Sequence, residues 1–182
     1  MRFLQCAPCL GAVFILPVMM ASGQFIAVHP PVEPKVADVA SMDSLIKATY
    51  DVISGPAGKK RDWDRFRSLF APKAMLGAAV RTQKGDVRYV PIEVEEYVSR
   101  SGPYLETHGF FEHEISRHVD QYGNIAQVFS TYESRNKADD KKPFERGINS
   151  FQLFNDGKRW WVVSIYWQGE DAKTPLPRKW LR

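Results

Sequence analysis

The residues able to do chemistry are few and unevenly placed. "HEISRH", residues 113–118, comes close to the HExxH pattern of a zinc hydrolase, but its second histidine is one place late. Five residues turn an α-helix by about 500°, so His113 and His118 would leave a helix on different faces. An odd spacing divides them on a strand too, and it divides His108 from His113 in the same way. We therefore expect no metal and no cofactor. If residues 110–120 form a strand, Phe111, His113, Ile115, Arg117 and Val119 share one face, and Phe110, Glu112, Glu114, Ser116 and His118 share the other. The first set is the more apolar and should face the core. That leaves His113 as either a satisfied core histidine or a ligand contact and base. Glu112 and Glu114 read as a solvated or subunit-facing set, or, in the sharper version, as a general-acid pair. Other nucleophile signatures are missing: there is no GxSxG, and the glycine-containing "SGPAG" (54–58) lacks the pattern of a phosphate cradle.

The elements that must hold these groups follow from periodicity. Val39, Met42, Leu45, Ile46, Tyr50 and Ile53 recur at helical spacing, predicting a helix over residues 37–54. Asp62 can cap a short second helix, "WDRFRSLF", that stops before Pro72. Residues 75–90 read as a hairpin turning at "QKGD", and a third helix spans residues 92–101, ending near Gly102-Pro103. The period then changes to two. Residues 109–120, 124–135, 147–155 and 159–168 are strand-like, separated by "YG", the charged "NKADDKKPFE" and the tight turn "NDG". The last run, "GKRWWVVSIYW", holds three tryptophans; alternation puts Trp161, Val163, Ile165 and Trp167 on one face, expected to be buried. Helices first and an antiparallel meander afterwards make an α+β domain, with the helices on one face of the sheet.

The order of these elements, with "DWDRFRSLFAP" (62–72) on the second helix and "DGKRWWVVSIYW" closing the chain's last strand, resembles the nuclear transport factor 2-like (NTF2-like, SnoaL-like) superfamily, and in part its scytalone dehydratase branch. The resemblance implies a cone: a strongly curved antiparallel β-sheet wrapped on three N-terminal helices, with a pocket between them. It implies a site lined by Tyr50, Trp63, His108, His113, Tyr132, Asn149 and Trp167, with His113 or His108 as candidate catalytic bases. Tyr50-Asp51 is similar to the branch's Tyr-Asp pair, although "SGPAGKK" intervenes before "DWDR". His108 and Asn149 fall near its catalytic histidine and substrate-binding asparagine. The branch's second catalytic histidine has no counterpart, since Ser130 and Tyr132 stand there. Ketosteroid isomerase relatives imply an acidic base opposite a tyrosine donor. Tyr50 or Tyr132 could donate, but no aspartate stands at the base position.

Three functions stay open: a pocket for a small, largely apolar molecule, a cofactor-free lyase or isomerase using that pocket, and a structural dimerisation module. The superfamily's sheets commonly pair, which implies a homodimer through the sheet.

Composition limits the rest. Arg2, the apolar run at residues 10–20 and Ala21-Ser22-Gly23 have the form of a signal peptide over residues 1–23. An uncleaved anchor is the other reading, but Pro8, Pro17 and the shortness of the run argue against a stable span of about 20 residues. A proline-rich linker over residues 24–35 leads into the domain at 36–182, which ends in a proline-containing tail. The expected destination is export, to a periplasm or the exterior. Both cysteines, Cys6 and Cys9, lie in the leader, so the exported chain would have neither a disulfide nor a thiol nucleophile. A net charge of +4 with both signs interspersed gives no footprint for nucleic acid.

Overall fold

A computed structural model describes residues 32–181 of the chain. The expected signal segment and most of the expected linker lie outside the described residues.

The first helical pattern is two helices, α1 (Val36–Val39) and α2 (Met42–Ile53). Ser41 divides them: its hydroxyl accepts from the Ser44 backbone N–H, and the Ser44 hydroxyl accepts from the Ser41 N–H, a reciprocal cap that starts a new helix. Helix α3 (Trp63–Ser68) begins, as its sequence predicts, with the Asp62 carboxylate on the Arg65 N–H. A bidentate Arg65–Asp38 pair ties it back to α1.

The hairpin β1 (Phe70–Arg81) and β2 (Val87–Glu93) follows. Helix α4 (Val94–Thr107) then runs straight through Gly102-Pro103, where the sequence predicts its end. Packing overrides the breaker. Gly102 is buried against the Trp63 indole, where an added Cβ would lie 3.3 Å from the ring, so the bare backbone lets the helix seat closely.

Strands β3 (Phe111–Tyr122), β4 (Ile125–Arg135), β5 (Glu145–Asn155) and β6 (Trp160–Gly169) match the four period-two runs. The six strands form one sheet in the order β2-β1-β6-β5-β4-β3. Four pairings are antiparallel, but β1 lies parallel to β6, so the sheet is mixed rather than wholly antiparallel. This pairing brings the early hairpin beside the last strand and makes β6 central.

Beside an irregularity between Phe70 and Met75 of β1, bulges in β3 and β6 exchange the faces of the sheet. In β3 the register skips Ile115, between Glu114 and Ser116; in β6 it skips Val163, opposite the Gln152–Leu153 step. Along β6 the buried residues are therefore Trp160 and Val162 before the bulge and Ile165 after it. Trp161 and Val163 do not share the face of Ile165 and Trp167 as simple alternation predicts. Val163 is 41% exposed, and Trp161 donates its indole N–H to Asp156 beneath the Arg159 guanidinium.

The core lies between α2, α3 and the inner face of the sheet. Leu45 and Ile46 of α2, Phe66 of α3, Val128, Phe151 and Val162 are fully buried within it. Burial of each such side chain stabilises the fold by about 1.5–3 kcal/mol. The loop leaving α2 is held from inside by Arg61, only 6% exposed, which donates to the carbonyls of Ile53, Gly55, Lys59 and Leu105. Paired backbone bonds between Gly55 and Phe110 then fix the entry to β3.

Candidate functional site

A cavity of about 370 Å³ opens between α2, α4 and the inner face of the sheet. Its walls are largely aromatic. Tyr50 meets Phe151 edge-on with ring centroids 6.2 Å apart, and Tyr97 stacks on Phe66 at 5.3 Å. Phe110, Tyr132 and Trp167 complete the lining from the strand side.

The polar groups collect on the sheet side. Glu112 stands on β3 before the Ile115 bulge, so it points inward. Its backbone is held by Ser54 at the end of α2, whose hydroxyl accepts from the Glu112 N–H at 3.0 Å and donates to the Tyr50 carbonyl at 2.8 Å. The Glu112 carboxylate accepts from Ser134 at 2.8 Å and, more loosely, from the Asn149 amide at 3.4 Å. Burial pushes its pKa up to about 7; these two donors oppose the shift, and the charge of Glu145 adds to it. Glu145, also on the cavity wall, accepts the Tyr132 hydroxyl at 2.8 Å. The phenols of Tyr50 and Tyr97 are held above their ordinary range by burial first and the Glu112 charge second. For Tyr132 the causes are burial and then Glu145.

A chain of hydrogen bonds leads out from the cavity. The Asn149 amide reaches the Tyr50 hydroxyl at 3.1 Å, Tyr50 meets Ser130 at 2.7 Å, and Ser130 donates to Glu114 at 2.6 Å. Arg117 grips Glu114 through its Nε and also reaches Asp43 on α2. Glu114 shares the inward side with Glu112 but is neutralised by Arg117 beneath Tyr50, outside the cavity lining.

Of the residues singled out in the sequence, Tyr50, Tyr132, Asn149 and Trp167 line the cavity together. Trp63 lies behind the wall, edge-on to Phe66 at 5.6 Å and against Gly102. Neither histidine reaches the cavity. His113 is on the outer face, its Nε2 3.0 Å from Glu133 and its side chain half exposed, because the bulge at Ile115 reverses the parity of the first half of β3. His108 follows the last turn of α4, stacked on Tyr104 at 4.3 Å and lining a separate groove with Pro56 and Asn136. The extra helical length beyond Gly102 carries it there.

Glu112 and Glu145 are the lining carboxylates that alternation does not select. Glu112 was legible only as half of a possible acid pair. Glu145 sits at the end of a charged loop, with no signal in the sequence. Among the described residues no group of His, Cys, Asp and Glu is arranged to hold a metal ion.

No protein-family model matches this chain, and no curated protein matches it. Solved structures do. A protein of unknown function with a cystatin-like fold from Nostoc punctiforme matches at a TM-score of 0.56 and 12% identity, over 77% of this chain and 96% of its own. An NTF2-like protein of unknown function from Pseudomonas putida matches at 0.55 and 14%, over 78% and 94%. A candidate dehydratase from the NTF2-like family of Streptomyces avermitilis matches at 0.53 and 14%, over 74% and 97%. An unclosed, curved sheet with helices on its inner face defines an α+β cone that holds a cavity. The chain has the NTF2-like fold.

Proposed function

We propose that the cavity binds a small, largely apolar molecule carrying one polar group, and that the protein does so after export. The observation that carries this reading is the composition of the cavity: aromatic and aliphatic walls around a group of carboxylate and amide oxygens on the sheet side. Its volume, about 370 Å³, lies in the range of small-molecule sites. Native mass spectrometry of protein purified from its own host tests the proposal. A retained molecule is expected, and it should be lost when Phe151→Trp fills the space. A mass equal to the bare chain, together with no stabilisation by any of a library of small aromatic compounds, overturns it.

A second reading is favoured by one observation. A carboxyl buried at the edge of an apolar cavity and pushed up to about 7 is suited to take and return a proton near neutrality. On that reading the protein is a cofactor-independent isomerase or lyase with Glu112, rather than His108 or His113, as the base. Glu112→Gln separates the readings, since an enzyme would lose turnover while still retaining its ligand. Homodimerisation through the sheet remains part of the proposal, supported by exposed Tyr166 and Val163 on the central strand, and sedimentation measures it.

A further inference from the structure

The direction of the hydrogen bonds that join Asn149, Tyr50 and Ser130 follows from one acid. The Glu114 carboxylate, held by Arg117, can only accept, so Ser130 donates to it. Ser130 must then accept from Tyr50, and Tyr50 in turn accepts from Asn149. The Tyr50 proton is thereby committed inside the protein. That of Tyr132 is committed to Glu145, that of Ser134 to Glu112 and that of Thr49 to the Leu45 carbonyl. The Asn149 amide protons go to Tyr50 and Glu112.

Acceptors are left over. The Asn149 carbonyl oxygen accepts nothing among the described residues, although the side chain is only 7% exposed and faces the cavity. Glu112 and Glu145 each receive neutral donors, and neither is in an ion pair among the described residues. Arg100 is the cation on the lining, but its side chain is 61% exposed at the rim and already paired with Glu96. The sheet side thus presents two carboxylates and an amide oxygen with no counter-charge. The remaining walls include the rings of Tyr50, Tyr97, Tyr132 and Trp167, and aromatic rings attract cations.

We infer that the polar group of the bound molecule is a protonated amine, received by Glu112, Glu145 and the Asn149 carbonyl and enclosed by the aromatic walls. This rests on the reading of the cavity as a small-molecule site, and names the class of molecule. An ammonium supplies several donors and no acceptor, which complements this surface. A carboxylate ligand would meet two like charges. A neutral hydroxyl would leave the carboxylates uncompensated, with the Tyr97, Ser101 and Tyr104 hydroxyls as the lining hydroxyls uncommitted among the described residues.

Three probes of matched shape test the inference: phenylbutylamine, phenylbutanol and phenylbutyrate. Each is titrated calorimetrically into the full exported chain at mildly alkaline pH, with intrinsic tryptophan fluorescence as a second readout. The amine should bind about ten-fold tighter than the alcohol, as expected for charge-assisted against neutral hydrogen bonds, and the carboxylate weakest. Glu112→Gln should remove most of the amine's advantage while alcohol binding persists, and Glu145→Gln should remove a smaller part. If the alcohol or the carboxylate binds the wild-type protein as tightly as the amine, the amine assignment falls and the small-molecule site stands. If none of the three binds, both fall. An amine preference undiminished in both variants would also overturn the assignment, because it would come from elsewhere on the surface.

Discussion

The Tyr50 hydroxyl lies 2.7 Å from Ser130 and donates to it, so this tyrosine presents no proton to the cavity it lines. A phenol in that position otherwise looks like the donor that would stabilise an oxyanion. The commitment of Ser130 to Glu114 removes that role. Ser130 is fully buried, so Ser130→Ala leaves the Tyr50 proton without its acceptor. We expect a loss of about 1–3 kcal/mol in urea unfolding. A variant as stable as the wild type would mean that the Tyr50 proton points elsewhere.

Glu112 predicts a specific pH dependence. Its folded pKa, about 7, lies above the ordinary value of 4.5, so the folded chain holds this proton more tightly than the unfolded chain. The associated stability is fully present below the ordinary value and is lost as pH rises through about 7. Glu112→Gln cannot ionise. Its stability relative to wild type should therefore improve by about 3 kcal/mol, to order of magnitude, between acid and mildly alkaline solution. The other ionisable groups on the cavity wall, Glu145, Tyr50, Tyr97, Tyr104, Tyr132 and Arg100, are shared by both proteins and largely cancel. Parallel stability curves would show that Glu112 is solvated.

Arg61 is a structural arginine with no carboxylate partner in its hydrogen bonds. Its guanidinium joins the end of α2, the following loop and α4 through backbone carbonyls, and burial lowers its pKa. Arg61→Met should cost about 3 kcal/mol or more, since it orphans several buried carbonyls at once. Arg61→Lys should recover only part, because one ammonium cannot span the same fork. Equal stability of Met and Lys variants would contradict the geometry.

His113 should prove dispensable. It sits on the outer face beside Glu133 and Arg135, half exposed. We expect His113→Gln to change stability by no more than about 0.5 kcal/mol, and to leave the binding of any cavity ligand untouched. A melting shift of several degrees, or weakened ligand retention, would return this histidine to the site.

Export gives the simplest test. If residues 1–23 are a signal, secreted protein should begin at Gln24. N-terminal sequencing that finds Met1 on the exported chain would contradict it.

Local patterning accounts for most of the elements and their order, with the first helical pattern dividing at Ser41. Helical spacing through Leu45, Ile46 and Ile53, the Asp62 cap and four period-two runs are local properties, and each became the element its pattern predicts. The sequence also marked Tyr50, Tyr132, Asn149 and Trp167, which the fold brings to one cavity from four different elements. Which side of β3 and β6 faces inward depends instead on long-range pairing. A bulge adds one residue and reverses the alternation beyond it. Alternation alone sent His113 inward and Glu112 outward on β3, and it misplaced Trp161 and Val163 on β6. The same holds for α4, where the seat of Gly102 on Trp63 outweighs the local preference to stop at Gly-Pro and carries His108 away from the cavity. Local sequence specifies a period, whereas the bulges and the close helix seat arise from long-range pairing and packing, and these set the chemistry of the site.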